Sequence, residues 1–140
     1  MEDRVAQNRK EDHELLETSV TSRIIGEKIL VYGSCIPLEH PDIVKGFKEH
    51  TRLSTCLTTK SMEEVAWKLL TMVRMKGPKE LAALTMDGSP HCLQLHFALE
   101  DIHEIYPSIR VRHFVIEKGV IQEVSSEAVK TARHLSRIKG

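Results

Sequence analysis

The sequence predicts an α/β domain: a small sandwich with three central parallel strands, an antiparallel C-terminal hairpin and a docked N-terminal helix. Three features lead there. The runs "KILVYG" (28–33) and "ELAALTM" (80–86) are almost wholly apolar, as strands covered on both faces are. Between and after them lie segments with helical spacing of apolar residues. Near the end, "IRVRHFVIEKGVIQEVS" (109–125) alternates apolar and polar residues around a turn, which reads as a β-hairpin.

Taken in order, residues 2–25 carry scattered apolar positions (Val5, Leu15, Leu16, Val20, Ile24) and no proline, so a partly amphipathic helix is expected, stopped by Gly26. The chain reads as one domain over 1–140, with 1–26 as a helical extension. Pro37 and Pro41 break the chain after the first strand, and Pro41 can open a short helix through Phe47. "RLSTCL" (52–57) is a strand with few aliphatic residues. Ser61 and Glu64 form a capping box before a helix whose apolar face holds Val65, Leu69, Met72 and Val73. Gly77 and Pro78 end that helix. "DGS" (87–89) is a turn after the strand 80–86, and Pro90 suits the first position of a helix to about Ile105. Ser125 or Ser126 caps a last helix to about Ile138.

Lys plus Arg equals Asp plus Glu, 20 against 20, so no overall field draws the chain to nucleic acid or to a membrane surface. Residues 1–27 hold seven acids and four bases, and residues 128–140 four bases and no acid, which suits solvated helix faces. "VRHF" interleaves basic and aromatic residues over one short strand only, too little for nucleic-acid binding. No stretch nears the roughly 18 apolar residues of a membrane span, and the N-terminus has no signal-peptide pattern, so a cytoplasmic location is expected. The low aromatic content, 4%, and the long N-terminal helix favour a homodimer in which that helix buries its stripe on a second subunit. Trp67 is expected to pack in its helix or at such a contact.

The three cysteines fit no disulfide framework in a reducing compartment. They are packing residues, metal ligands or reactive thiols. Cys35 follows the first strand, Cys56 ends the second and Cys92 is third in the helix after "DGS". In open parallel sheets, ligands sit beyond the carboxyl ends of the strands, so all three thiols should reach one rim. Thiolates favour soft metals, so an iron–sulfur cluster bound by Cys35, Cys56 and Cys92, or a zinc ion with His91 or His40 as fourth ligand, is the expected cofactor. Backbone N–H groups around Gly88 and Ser89 would favour the negative charge of such a centre. Electron transfer with an unidentified redox or enzyme partner, or substrate binding at an incompletely ligated metal, would follow.

The alternative is a small thiol enzyme or sulfur carrier. Cys92 and His96 stand four apart on one helical face, the spacing of a nucleophile and its general base. Against it, Glu100 and His103 continue that face, which reads more readily as a solvated stripe. Asp87 begins the turn and could serve as an acid near Cys92, and Glu39 and His40 could line the rim. "GSCIPLEHP" (33–41) has neither the glycine pattern nor the lysine of a phosphate-binding loop. The layout of strand-end Cys and His is similar to that of β-class carbonic anhydrases, which hold zinc between cysteines and a histidine on an α/β sheet. Their Cys-x-Asp-x-Arg would need Asp and Arg where Pro37 and Glu39 stand. Their His-x-x-Cys is replaced by adjacent His91 and Cys92, so no residue role is carried over.

Overall fold

A computed structural model describes residues 12–132. Strands β1 (Asp12–Glu14), β2 (Lys28–Gly33), β3 (Thr51–Thr55), β4 (Glu80–Met86), β5 (Arg110–Glu117) and β6 (Val120–Val124) form one sheet in the order β1-β3-β2-β4-β5-β6. All neighbours are parallel except β5 and β6. The expected α/β class with an antiparallel C-terminal hairpin is the architecture found, with five parallel strands where the sequence suggested three.

Helices α1 (Ile36–Glu39) and α2 (Pro41–Lys45) follow β2, α3 (Met62–Lys76) follows β3, α4 (Pro90–Ile105) follows β4, and α5 begins at Ser126. Side-chain alternation splits the core in two. Ile29, Val31, Leu53, Leu81 and Ala83 face α3 and α4, where they meet Leu69, Met72, Leu95 and Leu99. Leu30, Tyr32, Ala82, Leu84, Phe114 and Ile116 face the other way, against Ile36 and Val44 of the short helices.

Local chemistry sets the boundaries. The Ser61 hydroxyl caps α3 by accepting from the Glu63 N–H, and Gly77 ends it in the left-handed region at φ 55. Ser89 caps α4 by accepting from the Cys92 N–H, with Pro90 in the first turn. Lys118 and Gly119 both have positive φ, the geometry of a two-residue hairpin turn. Ser125 accepts from the Ala128 N–H ahead of α5.

The expected helix over residues 2–25 is not formed in its described part, and residues 2–11 lie outside the described residues. Residues 12–14 pair with β3 instead, and Leu15–Glu17 make a single 3-10 turn. The reason is visible in β3. Arg52 is 8% exposed and its Nε donates to Asp12 Oδ1 at 2.6 Å, while Thr51 donates to Ile24 O and accepts from Gly26 N. A strand that looked too polar for the interior therefore carries its own polar partners, supplied by residues 12–26. Leu15 and Ile25 are buried in the core of the same chain, with Val20 and Ile24 packed against it.

Candidate functional site at the carboxyl ends of the strands

The chain runs from β2 outward to β3, then crosses back over β2 to β4. The strand order reverses between β2 and β4, and in open α/β sheets the carboxyl-end rim at such a point is where ligands bind. The loops there begin with Ser34 after β2, Cys56 after β3 and Asp87 after β4.

Cys35 and Cys56 lie in the segments that follow β2 and β3, and Cys92 in the first turn of α4, after β4. The Cys35 Sγ sits over Gly33, 3.7 Å from where a Cβ on that residue would stand. Its thiol is pushed up by partial burial and then by Cys92, with a smaller effect of Cys56, so each of the other two cysteines acts electrostatically on Cys35. Cys92 belongs to the apolar core under α4. Cys56 differs from both. Hydrogen bonds from the Thr58 and Thr59 hydroxyls, and from their backbone N–H groups, hold its thiol down at about 6, a thiolate at neutral pH. Beside it, the Thr55 hydroxyl is buried with no hydrogen-bond partner among the described residues.

His91 is exposed, and His40 packs beside the β5–β6 turn, with its Cε1 3.8 Å from where a Gly119 Cβ would be. Among the described residues no three His, Cys, Asp or Glu side chains are grouped to hold a metal ion as they stand.

Gly88 adopts φ 88 in the turn after β4, and the Asp87 N–H donates to Ile116 O, tying the turn to β5. Asp87, Gly88 and Ser89 line a cavity of about 380 Å³ with Thr85, His96 and the apolar Met86, Leu93, Val115 and Ala132.

Behind that cavity lies an assembly that sequence reasoning missed. Thr85 Oγ1 is 2.7 Å from His96 Nε2, His96 Nδ1 is 2.9 Å from His113 Nδ1, and His113 Nε2 is 2.6 Å from Glu100 Oε2. Exposure of the four residues is 1%, 3%, 1% and 3% in that order. His96 is pushed down to about 3 by burial and by His113. His113 is also lowered, because burial outweighs the pull of Glu100. Burial raises Glu100, but the bond from His113, the nearby Ser126 hydroxyl and the charges of His113 and Lys130 lower it overall. Two neutral imidazoles and an ionised carboxylate leave one proton order. His113 Nε2–H donates to Glu100, His96 Nδ1–H donates to His113, and the Thr85 hydroxyl donates to His96.

Two expectations are corrected here. His96 and Glu100 are not on a solvated stripe, because β5 and α5 cover that side of α4. His103 is turned inward too and donates to Ile109 O at 2.9 Å. Nor is His96 a base for Cys92, since both its ring nitrogens are engaged by Thr85 and His113. A signal for the assembly did exist. Alternation along 110–117 puts His113 on the same face as Val111 and Val115, an inward position where an imidazole needs buried partners.

Among the described residues no helix is long and apolar enough to cross a membrane. Neither the functionally described proteins nor the solved structures include a match to this chain. The sequence pattern of the Rossmann-like domain family does match, over residues 22–139, from the loop before β2 past the start of α5. The chain belongs to the Rossmann-like domain family.

Proposed function

We propose that this chain is a thiol-centre protein, in which Cys35, Cys56 and Cys92 act together to hold a soft ligand, an iron–sulfur cluster before a single zinc ion. The observation that carries the reading is one of placement: Cys35, Cys56 and Cys92 follow the carboxyl ends of β2, β3 and β4, around the reversal of strand order. Thiolates are the ligands such clusters use, and three of them leave one iron open to a substrate or a fourth side chain.

Anaerobic incubation with ferrous iron and sulfide tests this. The expected product is brown, with broad visible absorption and one cluster per chain, and each of Cys35→Ser, Cys56→Ser and Cys92→Ser reduces cluster content by more than half. A colourless protein in which zinc binds at one equivalent would move the reading to the single ion. Absence of both would overturn it.

A second reading has its own support, the low pKa of Cys56. A thiolate at neutral pH is the nucleophile that a sulfur carrier or thiol enzyme requires. In that reading Cys56, not Cys92, is the working sulfur, because it is the more exposed and is stabilised as the anion. It predicts a persulfide on Cys56 after exposure to a sulfur donor, with Cys35→Ser and Cys92→Ser unaffected.

A further inference from the structure

We infer that Thr85 is a nucleophile for acyl transfer, activated by His96 and seated in the cavity beside the turn Asp87–Ser89, with short-chain acyl esters or thioesters as its substrate class. This site is separate from the thiols and stands whether or not they bind a cluster. Three observations carry it. A hydroxyl meets an imidazole at 2.7 Å, and that imidazole is oriented in turn by a second imidazole and a carboxylate. This is the arrangement of nucleophile, base and orienting group that covalent catalysis needs. Thr85 and His96, 1% and 3% exposed, belong to the wall of the 380 Å³ cavity, so the chain of hydrogen bonds ends at that wall. Leu93, Val115 and Ala132 give that space an apolar wall suited to a short acyl chain.

The proton path follows from the bonding order. As Thr85 Oγ1 attacks the acyl carbon, its proton passes to His96 Nε2. The His96 Nδ1 proton can move to His113 Nδ1, which places the positive charge against Glu100 Oε2, 2.6 Å from His113 Nε2. Collapse of the tetrahedral adduct breaks the bond from the acyl carbon to the leaving oxygen or sulfur. The protons then shift back, and His96 Nε2–H protonates the leaving group. The product is an ester on Thr85 and a free alcohol or thiol, with no oxidant or metal required.

The probe is 4-nitrophenyl acetate, with peptide mapping after neutral hydroxylamine, which strips acetyl groups from cysteine thioesters and leaves the threonine ester. One acetyl group on Thr85 is expected. It should be absent in Thr85→Val, retained in Thr85→Ser, and formed about 100-fold or more slowly in His96→Gln. Acetyl groups on cysteines or lysines alone, or equal labelling of Thr85 in His96→Gln, would overturn the proposal. If His96→Gln does not fold, Thr85→Ser and Thr85→Val decide it, because labelling that does not follow the hydroxyl contradicts the assignment.

Discussion

His96 Nδ1 and His113 Nδ1 meet at 2.9 Å in the interior, so one buried imidazole donates its proton to the other. The contact joins α4 to β5 and works only while at least one of the two facing nitrogens is unprotonated. The relay is therefore sensitive to acid in a way that the apolar core around it is not.

Both imidazoles have pKa values below the ordinary 6.5, that of His96 down at about 3. The unfolded chain takes up protons below about pH 6.5 that the folded chain refuses. Stability is thus complete above that pH and falls as pH drops toward 3, by up to about 1.4 kcal/mol per pH unit for each imidazole. Urea unfolding between pH 8 and pH 5 should show the midpoint steady down to about 6.5 and falling below it. A midpoint unchanged down to pH 5 would contradict the buried, neutral assignment.

Glu100 holds the far end of the relay, with Lys130 Nζ 4.0 Å from its other oxygen. Glu100→Leu leaves His113 Nε2–H buried without an acceptor and should cost about 3 kcal/mol in denaturant unfolding. Glu100→Gln keeps an acceptor and should cost less. Equal losses for the two variants would mean that packing, not the bond to His113, is what Glu100 contributes.

The environment of Cys56 predicts an ordered thiol reactivity. Iodoacetamide should alkylate it with a pH midpoint near 6, well before Cys35, whose thiol is raised above its ordinary 9.0. Thr58→Val removes the principal hydrogen bond to the sulfur and should move the Cys56 midpoint upward. Coincident midpoints for Cys56 and Cys35 would remove the distinction.

Ser89 is the side-chain cap of α4, the helix that carries both Cys92 and His96. Ser89→Ala should lower stability by about 1 kcal/mol through loss of the bond to the Cys92 N–H. A neutral change would show that Pro90 and the turn hold the helix start unaided.

Most of the architecture could be read from residue order because its signals are local. Gly77, the turn 87–89, Pro90 and Ser125 each set a boundary through their own backbone preference or side-chain cap. The N-terminal segment was not legible. Its scattered apolar residues resemble a helix stripe, and its pairing with β3 depends on Arg52, forty residues from Asp12 in sequence. That each cysteine follows a strand was legible for a different reason, since alternating strands and helices turn the carboxyl ends of parallel strands to one side. The relay was hidden because His96 and Glu100 have the spacing of a solvated stripe as well as of a buried pair. Only the placement of β5 and α5 over α4 distinguishes these.

Native mass spectrometry of anaerobically loaded protein, combined with thiol alkylation, asks whether the three cysteines form one centre. The expected result is a mass increase of one iron–sulfur cluster, with Cys35, Cys56 and Cys92 protected together and all three released together on chelation. An unchanged mass, with Cys56 alkylated at full rate and independently of the other two, would contradict it.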